Sequence, residues 1–398
     1  MKVAASARLF FASLSFIVIA SVDAVESQPA RPNILLILAD DLGFSDIGCY
    51  GGEIATPTLD RLAAGGVRFR QFYNGARCCP TRASLLTGLY PHQAGVGLMT
   101  NDRKAPGYRG TLQPNTVTIA EVLKSAGYHT SMVGKWHLSV QGKPPHPTDR
   151  GFDEFYGMIG GFNSCFEEKP NYTRLPADRK RRDYAPDKFY STDAFADYSL
   201  DFIAEARLEK KPFFQYLAFN APHFPLHAKP EDIARYKDTY TKGWDIIRQE
   251  RLAKQIRLGL FDSKTPLSPL SEYSGGAVVK RQGVNPPWAT LDPDRQADLA
   301  RRMAVFAAMV ECMDRAIGRV IDDLKKNGEL DNTLILFLSD NGACAEWDPF
   351  GFDGSSGPEN ILHKGEQLER MGGPKAYHSY GSGWADRKSA RLNSSHSS

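Results

Sequence analysis

This 398-residue chain shows no zinc-type cysteine spacing and no pattern that would pair its thiols. Its six cysteines (Cys49, Cys78, Cys79, Cys165, Cys312 and Cys344) are too few and too scattered to staple a small disulfide scaffold. Charge of one sign is equally scarce. Lys plus Arg number 49 against 46 Asp plus Glu, and a net charge of +3 argues for neither a nucleic-acid nor a membrane-surface partner. Past the N-terminus no apolar run is long enough to span a bilayer. Solenoid-type repeats are absent too. What remains is an ordinary globular composition, 42% hydrophobic and 24% charged, in a chain long enough to bury a large core.

The N-terminus reads as a targeting segment. Lys2 and Arg8 precede the apolar run Leu9 to Val22, and Val22-Asp23-Ala24 offers small residues for cleavage. Residues 1–24 are therefore expected to be a secretory signal peptide, giving a secreted or periplasmic protein with no membrane association after its removal.

The rest alternates strand and helix signals. Asn33 to Ala39 is continuously apolar, as a strand buried on both faces of a parallel sheet would be. Thr56-Pro57 opens a helix that Gly65-Gly66 closes, and Thr118 with Glu121 forms a capping box. Thr130 to Val133, Phe213 to Phe219 and Thr333 to Leu338 read as further buried strands. The clearest helix runs from about Asp298 to Lys326, with Met303, Phe306, Val310, Met313, Ile317, Ile321 and Leu324 on one face. Pro144 to Tyr190 reads as surface loops, in which Arg179-Lys180-Arg181-Arg182 is a solvated run or, less simply, an anion-attracting rim. Lys229 to Pro293 reads as mixed helical segments and a Pro/Gly-rich loop. The pattern predicts an α/β fold.

Polar residues gather where these strands end: Asp40-Asp41, Lys135 with His137, His223, and Asp340-Asn341. In open α/β sheets the ligand site lies outside the carboxyl ends of the strands, so the four ends point to one convergent site. Asp40, Asp41, Asp340 and Asn341 offer only hard oxygen donors, which suit calcium or magnesium. A divalent cation with Lys135, Arg82 and two histidines suits a tetrahedral oxyanion and displacement at phosphorus or sulfur. Taken alone, Cys78-Cys79-Pro80-Thr81-Arg82 leaves open whether a thiol is reactive or simply packs in the core.

Cys78-Cys79-Pro80-Thr81-Arg82, followed by Leu86-Thr87-Gly88, resembles the C-x-P-S/T-R signature of the sulfatase family. Gly127 to His137 resembles its second signature, and Asp40-Asp41 and Asp340-Asn341-Gly342 resemble its metal pairs, all collinear between about Asn33 and Trp384. The resemblance implies an alkaline-phosphatase-like α/β sandwich with a mostly parallel central sheet flanked by helices, and sulfate ester hydrolysis as the activity. It implies that a formylglycine-generating enzyme oxidises Cys78 to formylglycine, with Cys79 the variable position. The hydrated aldehyde would offer one hydroxyl to attack sulfur and a second to expel sulfate. Asp40, Asp41, Asp340, Asn341 and the modified Cys78 would hold one Ca2+. Arg82 would stabilise the diol, Lys135 would bind sulfate, His137 would act on the diol proton, and His223 would bind sulfate or protonate the leaving group. The substrate would be a sulfated small molecule or glycan. Two alternatives stay open: a phosphonate monoester or phosphodiester hydrolase of the same superfamily, and an inactive exported fragment.

Two departures accompany the resemblance. Thr81 stands where many members have Ser, and after Asp340-Asn341-Gly342 the family's K-x-x-x-H-E-G-G-like loop and smaller C-terminal subdomain have no counterpart. Lys364 lacks the following Gly pair and is not expected to bind sulfate. Residues 386–398 resemble a translated sequencing adaptor, so residues 31–385 are expected to be an incomplete catalytic domain with a sheet edge or face left uncovered.

Overall fold

The apolar runs assemble into one twisted sheet. The computed structural model describes residues 31–140, 143–185, 187–274, 282–345, 348–354 and 360–388. The expected signal peptide and residues 389–398 lie outside them. Contacts divide the chain into Met1–Arg31 and Pro32–Ser398, and the fold is that of the second unit.

In chain order the elements are β1 (Asn33–Ala39), α1 (Pro57–Gly65), α2 (Cys78–Thr87), α3 (Ile119–Ser125), β2 (His129–Lys135), β3 (Glu154–Met158), β4 (Thr173–Leu175) and α4 (Ser191–Leu208). There follow β5 (Phe213–Ala218), α5 (Pro230–Ala234), α6 (Gly243–Arg257), the pair β6 (Glu272–Ser274) and β7 (Gln282–Val284), α7 (Pro293–Lys326), β8 (Thr333–Ser339), α8 (Glu366–Arg370) and α9 (Gly381–Lys388). The sheet order is β4-β3-β2-β5-β1-β8. Every pairing in it is parallel except the edge pair β3–β4. This is the mixed α/β, mostly parallel sheet flanked by helices that the sequence predicts.

Alternation along each strand supplies two cores. Leu35 and Ile37 face α4 and α7, packing with Phe195, Phe202, Val310 and Ile317. Leu36 and Leu38 face the other way and pack with Ala83, Leu86, Met132 and Phe214. Each fully buried large apolar side chain contributes roughly 1.5–3 kcal/mol, so burial on both faces is what fixes the register of β1. Local signals set the helix ends. Thr118 and Glu121 close the expected capping box on α3. Asp292 caps α7 by accepting from the Asp294 amide at 2.9 Å, with Pro293 in the first turn. That cap starts α7 five residues before the expected Asp298.

Three other expectations need correction. The stretch Pro144 to Tyr190 is not all loop, because it supplies β3, buried throughout, and β4. Glu154 hid β3 from a hydrophobicity reading; it is 1% exposed and tolerated there because Arg174 and Arg179 pair with it. Of the two readings of residues 179–182, the solvated run holds, with Arg179, Lys180 and Arg182 exposed, and the open rim does not, because Arg179 pairs with Glu154, Arg181 with Glu168 and Arg182 with Asp201. Finally, β8 is not buried on both faces. As the edge strand it leaves Leu334 50% and Leu336 43% exposed. Within Lys229 to Pro293 the expected helices appear as α5 and α6, but the β6–β7 pair has no apolar alternation to announce it. At the other end, α9 continues across residue 385, and Asp386 accepts a hydrogen bond from the Ser271 amide at 3.2 Å.

Candidate active site

Parallel strands bring their carboxyl ends to one side, and the polar residues that follow them meet there. Asp40 and Asp41 follow β1, and Asp340 and Asn341 follow its neighbour β8. Lys135 ends β2 with His137 just beyond, and His223 follows β5. The ends are tied together by backbone. The Asp41 amide donates to Asp340 Oδ1 at 3.3 Å, and the Leu42 amide donates to Ser339 Oγ at 3.1 Å. Gly134 lets β2 and β5 close up: at φ +109, a Cβ there would lie 1.8 Å from the Ala218 carbonyl oxygen. Asp41 (φ 63) and His137 (φ 54) both hold the left-handed conformation. Such backbone costs on the order of 1–3 kcal/mol per residue and persists only where surrounding contacts enforce it.

Cys78 enters as the first residue of α2, with Gly88 (φ 69) ending the helix by donating its amide to Ser84 O at 2.8 Å. This gives Gly88 of the Leu-Thr-Gly run a structural role as the left-handed helix terminator. One turn into α2, Arg82 is fully buried beneath the strand ends. Its Nε donates to Asp340 Oδ2 at 2.9 Å, and its Nη1 donates to the Lys135 carbonyl at 2.7 Å. Lys135, also fully buried, donates from Nζ to Asp40 Oδ2 at 2.6 Å. Asn341 Nδ2 donates to Asp41 Oδ1 at 2.5 Å. His223 Nδ1 donates to the Phe224 carbonyl at 2.6 Å, which turns Nε2 toward Asp41 Oδ2, 3.6 Å away.

All nine sequence-predicted residues therefore fall into one cluster: Asp40, Asp41, Cys78, Arg82, Lys135, His137, His223, Asp340 and Asn341. The Cys78 and Cys79 sulfurs lie 4.0 Å apart, and both thiols are free. Cys78, Cys79 and His137 gather on one side of the cluster, and Asp40, Asp41 and His223 on another. Lys364 is not part of it; its ammonium pairs with Asp294 at the surface. Hydrophobicity reading missed Tyr216, which was legible only as part of an apolar strand. Its buried hydroxyl lies within the field of Arg82 and Asp340, and burial pushes it up to about 12.

The electrostatics are lopsided. Burial, reinforced by Asp40, holds the Asp340 carboxyl well above the usual range, because the acids crowd a dry site. Burial opposes the Lys135 ammonium, but Asp40 outweighs it and the net shift is upward. The Cys79 thiol, by hydrogen bonding, draws the Cys78 thiol well below its ordinary range, and His137 and Lys135 add to that. Burial keeps His137 below its ordinary value.

Several buried atoms here lack partners. Asp40 Oδ1, Asn341 Oδ1 and His137 Nδ1 make no hydrogen bond. Unpaired oxygens beside three crowded carboxyl groups fit a hard divalent cation, which would supply the missing positive charge and coordination.

Comparisons with known proteins give the family. A family model described as sulfatase matches residues 32–377. An arylsulfatase of Klebsiella aerogenes is 37% identical over 375 residues, covering 92% of this chain and 77% of the relative. An uncharacterised sulfatase of Schizosaccharomyces pombe is 36% identical over 387 residues, covering 92% of this chain and 67% of the relative. Among solved structures, that of Ps i-CgsB in complex with k-i-k-neocarrahexaose superposes with a TM-score of 0.55 at 28% identity, over 89% of this chain and 67% of that one.

Proposed function

The chain belongs to the sulfatase family of sulfuric ester hydrolases, and on that footing we propose that it hydrolyses sulfate esters of carbohydrates at the Cys78 cluster. The observation that carries the proposal is the setting of Cys78. It is the first residue of a buried helix, beside Lys135 and His137 and next to an acidic cluster with unpaired oxygens. The glycan class is supported by the likeness to Ps i-CgsB, whose structure holds a neocarrahexaose.

In this reading Cys78 is converted to formylglycine by a maturation enzyme, and Asp40, Asp41, Asp340 and Asn341 hold Ca2+ together with residue 78. When present, formylglycine would supply a hydrated aldehyde with two hydroxyls, one nucleophilic and one to expel sulfate, and calcium would supply Lewis-acid charge beside it. The chain's own residues do the rest. Lys135 presents positive charge to the sulfate oxygens and His223 a ring nitrogen. His137 takes and returns a proton at residue 78. His223 carries its transferable proton on Nε2, because Nδ1 is committed to the Phe224 carbonyl. That proton goes to the ester oxygen as the alcohol leaves. Arg82 holds Asp340 and the Lys135 carbonyl in place and would stabilise the diol at residue 78. Export remains part of the proposal and rests on residues 1–24; among the described residues no helix is long and apolar enough to cross a membrane.

The test pairs mass spectrometry with turnover. The peptide containing residue 78 is expected to have lost the thiol mass, and sulfate release is expected to fall on the order of 10³-fold or more in Cys78→Ala. Finding only unmodified Cys78 in an active, folded preparation would defeat the formylglycine mechanism. Faster turnover of an aryl phosphodiester than of any sulfate ester would move the assignment to the phosphodiesterase branch.

A further inference from the structure

The loop that follows β3 does two things at once. At Gly161 it lies against the catalytic cluster: a Cβ there would sit 2.8 Å from His137 Cε1 and Nε2. One residue on, Phe162 spreads its ring roughly parallel to that of His223, 13° off and 6.4 Å between centroids. Phe162 also touches Phe224 (5.2 Å) and Tyr377 (6.0 Å, edge-on). Despite these contacts it is 43% exposed. Large aromatic surface left open beside a reaction centre is a candidate for ligand contact.

Phe162 also lines a cleft of about 300 Å³. Tyr377 lines it as well, and Asn163, Glu167, Asn171 and Lys375 bring polar groups to it. The floor is rigid, because the buried His227 ring joins the two walls. Its Nδ1 accepts from the Cys165 amide at 3.2 Å, and its Nε2 meets the Ala376 carbonyl at 2.7 Å. The amides are half committed. Asn163 Nδ2 donates to Asn171 O at 2.6 Å and Asn171 Nδ2 donates to Glu167 O at 3.0 Å, so each keeps its Oδ1 for another donor. Among the described residues neither Glu167 nor Lys375 makes an ion pair within 4.0 Å.

We propose that this cleft is a leaving-group subsite for a neutral, hydroxyl-rich sugar ring attached to the sulfated residue. The proposal rests on the sulfatase reading above and adds where the rest of the substrate goes. A pyranose has an apolar C–H face and a rim of hydroxyls, and the cleft offers an aromatic wall and a rim of amides and opposite charges. A bare aryl group would cover Phe162 but leave the polar rim desolvated and unmatched, which costs affinity. A second sulfate would gain from Lys375 and lose to Glu167, so one acid and one base favour a neutral ring. The volume lies at the low end of small-ligand sites, ~300–1,000 Å³, and fits one or two rings.

The experiment measures binding without turnover, on the full chain. Neutral oligosaccharides derived from agarose, cellulose and chitin are titrated and followed by saturation-transfer NMR. At least one is expected to bind, and Phe162→Ala and Lys375→Ala are each expected to weaken it at least tenfold. In parallel, the ratio of kcat/KM for a sulfated oligosaccharide to that for 4-nitrophenyl sulfate is expected to fall at least tenfold in Phe162→Ala, through KM. No binding by any of the three sugars, or binding indifferent to both substitutions, overturns the subsite. So does an equal loss on both sulfate esters, which would make Phe162 a support for His223 only. Failure of the sulfatase reading looks different: the wild-type chain would release sulfate from no ester, whatever it binds.

Discussion

Arg82 and Arg302 are both 0% exposed, and each is wrapped by two carboxylates and by backbone carbonyls, yet the two sites are built to different ends. Arg302, on α7, uses every donor group. Nε reaches Asp298, Nη1 the carbonyls of Phe352 and Ser379, and Nη2 Asp353 and the Ile361 carbonyl. It pins the segment after β8 to the long helix. Arg82 reaches Asp340 and the Lys135 carbonyl, while Asp40 Oδ1 lies 3.7 Å from its Nη2 and makes no hydrogen bond. Arg302 is closed off by its neighbours. Around Arg82 the network stops short, and the unfinished atoms are those that would face a cation and a substrate. In this pair the Arg302 donors are all met, while Asp40 Oδ1 beside Arg82 is left without a hydrogen bond.

The contrast can be broken most directly by removing each arginine. Arg82→Met is expected to lower turnover on the order of 10³-fold, since Asp40, Asp340 and Lys135 lose their common anchor. Arg302→Met should instead cost about 3–5 kcal/mol of stability, read by denaturant unfolding, with turnover per folded molecule retained. Equal losses of activity in the two variants would erase the distinction.

Calcium should separate the regions next. A saturating ion at 100 times its Kd stabilises by about 2.7 kcal/mol. Wild type and Arg302→Met should both show that rise in thermal stability, and Asp41→Ala and Asn341→Ala should not. A chelator that leaves the wild-type melting curve unmoved would count against a metal at this site.

Acid sharpens the comparison from the structural side. Burial, with Arg302, His227 and His363 nearby, holds His378 well below its ordinary value of 6.5. The folded chain keeps it neutral while the unfolded chain binds a proton, so its contribution is present above 6.5 and is lost as pH falls toward the depressed folded value. Thermal scans between about pH 7.5 and about pH 5.5 should show Tm falling by a few degrees, and His378→Gln should flatten that slope.

The smallest effect belongs to the β8 edge. Its open backbone and the exposed Leu334 and Leu336 favour self-association. Leu334→Lys should reduce the concentration-dependent component seen by sedimentation. A wild-type chain that stays monomeric, melts cooperatively and turns over fully would remove the concern.

Most of the candidate cluster was legible because its residues follow apolar strands as short polar groups, and because Cys78 to Gly88 resembles a contiguous family motif. Strand ends are local in sequence, and a parallel sheet collects them at one side. What escaped reading did so for a common reason. Glu154, Tyr216 and Arg302 are polar groups inside buried elements, and the groups that Glu154 and Arg302 pair with include ones about twenty to fifty residues away in the chain. Arg302 sits on the inner face of a helix whose apolar stripe alone was apparent, because Asp353 and the Phe352 carbonyl reach it from fifty residues on. The edge position of β8 was equally hidden, since Thr333 to Leu338 is as apolar as a central strand.

The sequence by itself determined the α/β class, the boundaries set by caps and glycines, and the identity of the nine clustered residues. The class and the boundaries depend on nearest neighbours and on periodicity, which the chain states directly; the choice of Cys78 and Arg82 among the nine came from the resemblance to the sulfatase signature. The tertiary structure alone decided which buried charges are satisfied and which are left open, that Phe162 meets both His223 and a cleft, and which strand lies at the edge. Those depend on distances between residues remote in sequence, and only the packed sheet sets them.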